Sequence, residues 1–192
     1  MEKTKLQMVI EFQDCLDPRV VKPLVRRAIP LDLGSVEHTL QRADSCMVYV
    51  GNPSKELHIV DVLGFPDLLQ DHIVTYLGLL TVSDLCRIAQ EYDRYGMGYA
   101  FWYAQRYYTK KCGSFAAEYR GEYSSVQSFC KDYHQRQTGL PCSTYDHWPY
   151  TCIDWGMAWQ KLEMEGYWAG EDRSSDEGGW HIFGPSTTGQ EG

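Results

Sequence analysis

An α+β fold built from small units is the class this sequence predicts, and three observations predict it. Short stretches of period-two alternation occupy the first third. Helical periodicity runs through the middle, and the last third passes from helices back to a short aromatic strand. With 192 residues, 43% hydrophobic and 14% aromatic, the chain is long enough to bury a core. The 23% of charged residues is too modest for a disordered polyampholyte.

The elements follow in order. Leu6–Phe12 alternates apolar and polar residues, as a half-buried strand does. Arg26–Leu33 reads as a second strand at a sheet edge, because Pro30 has no N–H to give to a ladder. Gly34-Ser35 followed by Val36, Thr39 and Leu40 predicts a helix capped by Ser35. Cys46–Val50 and Leu57–Leu63 are β-rich runs, and the turn cluster Gly51-Asn52-Pro53-Ser54 between them is of the kind that closes a hairpin. Together they predict a small antiparallel sheet with a helix, over residues 1–62.

Residues 63–111 read as a helical middle. A short helix is expected around Phe65–Ile73. Thr81 then caps a helix whose Val82, Leu85, Ile88 or Ala89, and Tyr92 share a stripe, with Asp84 in its first turn. Gly96 and Gly98 break that helix, and Tyr99–Tyr108 forms another that is aromatic nearly all round, so it belongs between layers or at a subunit contact.

Residues 112–184 form an α+β unit. Ser124-x-x-Gln127 predicts a capping box ahead of the stripe Val126, Phe129, Cys130 and Tyr133, and Gly139-Leu140-Pro141 stops that helix. A further helix is expected over about Ile153–Met164, then an acidic loop from Gly170 to Gly179, then a strand at Trp180–Phe183. Residues 185–192 are small and polar and read as a flexible tail.

Charge separates these segments. The chain holds 18 basic and 26 acidic residues, for a net charge of −8. Residues 1–60 contain eight of each sign, residues 61–110 four basic and six acidic, and residues 111–192 six basic and twelve acidic. An acidic chain is poorly suited to holding nucleic acid by its phosphates. The asymmetry points to the C-terminal part as the face that meets a partner.

The N-terminus runs straight into the first alternating stretch with no apolar leader, and the longest apolar run, Ile73–Val82, is half the roughly 20 residues of a bilayer crossing. Seven cysteines lie scattered with no C-x-x-C, as in a reducing compartment. The expectation is a cytoplasmic protein.

Motifs for catalysis are absent: there is no phosphate-binding glycine loop with Lys and Ser/Thr, no G-x-S-x-G and no H-E-x-x-H. Cys130, His134, Cys142 and His147 are of the types that zinc prefers, but their spacing is loose and Cys130 falls on a core-facing stripe, so the expectation is no metal and no cofactor. A nucleophilic pair of Cys152 with His147 lacks a visible residue to orient the base. His38, His58, His72 and His181 read as surface or satisfied core residues. Trp148, Trp155, Trp159, Trp168 and Trp180 would need a cationic groove to stack bases, so they read as core or dimer contact.

The carboxylates remain. Glu118, Glu122, Asp132, Asp154, Glu163, Glu165, Glu171, Asp172, Asp176 and Glu177 are either a solvated surface or a negative contour laid out like DNA. Duplex DNA carries one charge per roughly 1.7 Å of axis, so the net excess matches only about 14 Å of duplex. One face would have to gather the acids, or a dimer would have to double them.

Ordered motifs connect the chain to a known family. Tyr119-Arg120-Gly121-Glu122-Tyr123-Ser124, then a helix and a Gly-Leu-Pro break, are followed by Tyr150-Thr151-Cys152-Ile153-Asp154-Trp155 and Trp159-Gln160-Lys161-Leu162, and the series closes with Gly178-Gly179-Trp180-His181-Ile182-Phe183. Earlier in the chain come Ile59-Val60-Asp61 and Gly64-Phe65-Pro66. The set resembles the ArdA antirestriction family over nearly the whole chain, most strongly after residue 115. The resemblance implies an elongated, cytoplasmic, non-enzymatic homodimer, carried by mobile genetic elements. It would imitate bent B-form DNA and occupy the DNA-binding site of type I restriction–modification enzymes, at the methyltransferase core. Glu122 and Asp154 match motif positions of the family; the other acids are chosen by charge and expected exposure. Asp154 also reads as a first-turn helix residue that complements the dipole. Two alternatives stay open: an inhibitor of another DNA-binding defence system, such as a CRISPR effector, through protein–protein docking, and a Cys/His metal-dependent protein.

Overall fold

The computed structural model describes residues 5–13, 24–49, 58–109, 114–174 and 178–186. It is an α+β fold with two three-stranded antiparallel sheets. Contacts gather into two compact units, Met1–Gly96 and Met97–Gly192, so the division falls at Gly96, inside the stretch read above as one helical middle.

In the first unit, β1 (Gln7–Gln13) is the central strand, flanked by β2 (Leu24–Pro30) and β3 (His58–Leu63). Proline at the end of β2 fits its edge position, since among the described residues no further strand needs the missing N–H. Helix α1 (Val36–Tyr49) starts where expected: Ser35 Oγ accepts the His38 N–H at 3.2 Å. Its C-terminal end corrects one expectation, because Cys46–Tyr49 continues the helix instead of forming a strand. Thr39 and Ala43, both 0% exposed and one turn apart, carry the buried stripe along the helix. Once a helix is nucleated and packed, extending it outweighs the local β-preference of Val48 and Tyr49. The turn at Gly51-Asn52-Pro53-Ser54 lies outside the described residues.

Helix α2 (Asp67–Thr75) follows Pro66, and α3 (Val82–Thr109) opens with a reciprocal cap. Thr81 Oγ1 accepts the Asp84 N–H at 3.1 Å, and Asp84 Oδ2 accepts the Thr81 N–H at 3.0 Å. Leu85, Cys86, Ile88 and Ala89 are buried on the predicted stripe and close a core with Met8, Ile10, Ile29, Val62, Leu69 and Ile73. Thr39 is one polar member of this interior beside His72, and its Oγ1 accepts the Asp32 N–H at 2.8 Å and a weak bond from Cys86 Sγ at 3.6 Å. At Gly96 the backbone takes φ 59° and ψ −141°, a conformation that interrupts the helix and that glycine tolerates without strain.

The second unit has three layers around the sheet β4 (Tyr119–Tyr123), β6 (Gly179–Phe183) and β5 (Trp168–Asp172), with β6 in the centre. Sequence reading missed two of these strands. The sequence reading assigns no element to Tyr119–Tyr123, and the loop it expects over Gly170–Gly179 overlaps the end of β5. Both are short and glycine-bearing, so alternation is hard to see in them. They are held as strands by pairing to β6 on either side.

One sheet face, with Ile182, Ala169 and Tyr123, packs on α5 (Val126–Thr138) and α6 (Trp155–Met164) through Phe129, Cys130, Trp159 and Leu162. The other face, with Phe183, Trp168 and His181, meets α3 beyond Gly96 and the short α4 (Phe115–Glu118). Trp168 stacks on Phe183 at 3.9 Å and Phe115 on Tyr119 at 4.7 Å. The aromatic helix forms an outer layer of this unit, with Tyr99 and Ala100 buried and Phe101 against His181. The α5 cap is shifted by one residue: Ser125, not Ser124, is the N-cap, and it exchanges bonds with Ser128. Gly139 ends that helix in the left-handed region at φ 70°.

Candidate functional site

The acids singled out above lie in the second unit, and the structure separates them by what each carboxylate already holds. Asp176 and Glu177 lie outside the described residues. Asp154 is the N-cap of α6; its Oδ1 accepts the Gly156 N–H at 2.9 Å and the Met157 N–H at 3.0 Å. That satisfies two of the donors a helix start leaves open. Glu118 closes α4 and accepts the Trp102 indole N–H at 2.8 Å.

Asp132 belongs to a closed network on the surface of α5. It accepts the Tyr123 hydroxyl at 2.7 Å and pairs with Arg136 one turn on, while Arg136 also donates to that hydroxyl at 2.8 Å. Burial, then the bond to Asp132, pushes the Tyr123 phenol up. Glu171 pairs with Arg173 at 2.7 Å. Asp172 Oδ1 accepts both the Ser174 N–H at 2.8 Å and its hydroxyl at 2.6 Å, holding the turn that leaves β5. Burial works to raise this carboxyl, but the Ser174 bonds and nearby His181 outweigh it and hold Asp172 below the ordinary carboxylate value.

Three acids stand differently. Glu122 on β4, Glu163 on α6 and Glu165 at its C-terminal end are exposed, and none takes an ion pair among the described residues. These three carry no arginine partner among the described residues, although Glu122 leans over Gly179 beside His181, whereas Asp132 and Glu171 are each paired with an arginine. Glu165 also stands with Lys161 on the lining of a cavity of about 380 Å³ between α5 and α6, floored by Trp155 and Leu162.

The Cys/His set does not converge. Cys130 is buried in the α5–α6 core, where burial pushes its thiol up to about 11. His134 Nδ1 is bonded to the Tyr145 hydroxyl at 2.9 Å, Cys142 Sγ donates to Gln135 Oε1 at 2.8 Å, and His147 is exposed. Among the described residues no group of three or more His, Cys, Asp or Glu is arranged to hold a metal ion. Trp155, Trp159, Trp168 and Trp180 pack in the second unit, while Trp148 is 82% exposed.

Sequence reasoning passed over the most unusual polar group. His181 is 4% exposed, and among the described residues its Nε2 has no hydrogen-bond partner. The alternation of Trp180-His181-Ile182-Phe183 already places it on the face of Phe183, opposite Ile182. What alternation does not reveal is that both faces are covered. Among the described residues no helix is long and apolar enough to cross a membrane. No protein-family model, curated protein or solved structure matches the chain.

Proposed function

We propose that this chain is a non-enzymatic DNA mimic of the antirestriction kind, which occupies the DNA-binding site of a type I restriction–modification enzyme in place of DNA. It acts in the cytoplasm as a homodimer, without metal or cofactor. The observation that carries the reading is the set Glu122, Glu163 and Glu165: exposed and free of ion pairs among the described residues, within a segment of twelve acidic and six basic residues. Such carboxylates take the positions of phosphates against Lys and Arg of the enzyme, and the long-range field speeds association. The motif series quoted above supplies the target class.

The reading narrows the ten acids chosen from sequence. Asp154, Asp132, Glu118 and Asp172 are employed in holding the unit together, so among the described residues of that set the working anions are the three glutamates, with Glu171 a lesser contributor beside its arginine. The test is displacement of a fluorescent DNA duplex from a purified type I methyltransferase. Each exposed ion pair contributes up to about 1 kcal/mol. Replacing Glu122, Glu163 and Glu165 by glutamine together therefore raises the inhibitory concentration by up to on the order of a hundredfold. Equal displacement by wild type and triple variant overturns the reading.

A second reading has its own observation. Trp148, Met157 and Met164 are 82%, 66% and 89% exposed, and the two methionines are seven residues apart on one face of α6. Large apolar side chains left in water suit protein docking, as on a different DNA-binding defence complex. Displacement that persists at high salt and is abolished by Met157→Ser with Met164→Ser favours it.

A further inference from the structure

His181 lies at the centre of β6 between two carboxylates. Across the sheet on β4 its register partner is Glu122, and on β5 it is Gly170, two residues from Asp172. Glu122 lies over Gly179, where an added Cβ would meet its Oε1 at 2.5 Å. Asp172 Oδ2 stands 3.9 Å from His181 Nε2, too far for a hydrogen bond. On the opposite side of the ring, Nδ1 and the Tyr119 hydroxyl are 3.0 Å apart.

From α3 the ring meets Phe101, with centroids 5.7 Å apart, and Gly98. The layer is closely packed at its two glycines. A Cβ on Gly98 would come within 3.1 Å of Tyr119 and 3.2 Å of His181 Nδ1, and one on Gly170 within 2.6 Å of the Phe101 ring. Among the described residues the groups facing the imidazole are Tyr119 and Glu122 from β4, Asp172 from β5, and the uncharged Phe101 and Gly98 from α3.

We propose that His181 is an acid-operated release for the second unit: a proton taken up from solvent at this imidazole reverses its bond to Tyr119, draws Asp172 toward Nε2, and loosens the β4–β6–β5 sheet from α3. Tyr119 has one hydroxyl proton. When His181 is neutral, that proton can be given to Nδ1; when both ring nitrogens carry hydrogen, Nδ1 must donate and the hydroxyl must accept. The charged ring needs a partner at Nε2, and the nearest is Asp172, whose other oxygen holds Ser174 and so the turn leaving β5. A cation between Phe101 and the sheet is poorly hydrated at 4% exposure, and parting the two closely packed layers hydrates it.

The direction follows. Burial holds His181 below the ordinary imidazole value of 6.5, and Glu122 and Asp172 only partly offset this. A basic group whose folded value is depressed stabilises the fold above 6.5, and that stability is lost as pH falls toward the folded value.

The experiment is an NMR titration of the imidazoles in the full-length chain, with His181 assigned through His181→Gln. The expected result is a His181 midpoint below 6.5, with the amides of Asp172 and Ser174 shifting at the same midpoint. Asp172→Asn and Glu122→Gln each lower that midpoint further, since each removes an anion that favours the charged ring. All six tryptophans belong to the second unit, so their emission reports its opening alone. An acid-induced change in emission shared by wild type and absent from His181→Gln supports the release. A midpoint at or above 6.5, amides that do not follow, or a midpoint unmoved by both carboxylate variants overturns it. The two carboxylate variants decide the matter even if His181→Gln fails to fold.

Discussion

Asp154 is the residue where a structural and a functional role make opposite predictions, and substitution separates them. Its Oδ1 receives two backbone N–H groups at the start of α6, at 2.9 and 3.0 Å. Replacing it by alanine leaves both donors to water and removes a negative charge from the positive end of the helix dipole. Loss of an N-cap costs about 1 kcal/mol, within a range of roughly 0.5–2. The cost is transmitted to the core, because α6 delivers Trp159 and Leu162 to it. With a urea dependence of about 2 kcal/mol per molar for a domain of this size, the midpoint falls by about 0.5 M. Tryptophan emission is the assay, since every tryptophan lies in the affected unit. Asp154→Asn retains a capping oxygen, so its midpoint stays close to wild type although the charge is gone. Potency in the DNA-displacement assay, measured per folded molecule, stays within about twofold for both variants. Alanine and asparagine variants that unfold together with wild type refute the capping argument. Loss of displacement in the asparagine variant without loss of stability restores Asp154 to the binding surface.

Two further outcomes follow from the same packing. Gly170→Ala forces a methyl group against the Phe101 ring, which stands 2.6 Å from the position of its Cβ, so it destabilises the second unit by about 1–3 kcal/mol, seen as a lowered thermal midpoint of tryptophan emission. A maleimide applied to the native chain, with site-resolved mass spectrometry, modifies exposed Cys142 and Cys152 and spares buried Cys86 and Cys130 until denaturant is added. Burial pushes both buried thiols up, Cys130 to about 11, so reaction of Cys130 at the rate of Cys142 refutes its placement in the core.

Where the fold is set by local chemistry, it is legible in the sequence. Ser35, Thr81 and Gly139 take the terminal roles their residue types favour, and Pro30 sits at the edge strand where its missing N–H does no harm. Legibility fails where a partner distant in sequence decides. Nothing in Tyr119-Arg120-Gly121-Glu122-Tyr123 announces a strand until β6 arrives some sixty residues later to pair with it. The reverse error at Cys46–Tyr49 has the same origin: a β-rich run is recruited into α1 because the turns before it are already packed. The one-residue displacement of the α5 cap shows the limit from the other side, since Ser124 and Ser125 are chemically equivalent and only the backbone path selects between them.

The acidic surface was harder to read than the fold, and the reason bears on mechanism. A carboxylate in a sequence is a unit of charge; in the structure it is also a hydrogen-bond acceptor, and several of the predicted anions are committed in that way. Asp132 and Glu171 have arginine partners, and Asp154 neutralises part of a helix dipole. At one charge per roughly 1.7 Å of duplex, three uncommitted glutamates correspond to only about 5 Å of axis. On the proposed reading, charge matching of that extent steers association more effectively than it holds a complex, and the exposed apolar groups of α6 would supply the hold. Ionic strength distinguishes the contributions. Association carried by the glutamates slows steeply with added salt, while dissociation governed by Met157 and Met164 does not. A complex whose dissociation rate rises as sharply with salt as its association rate falls is held by charge throughout, and requires more anions than these three.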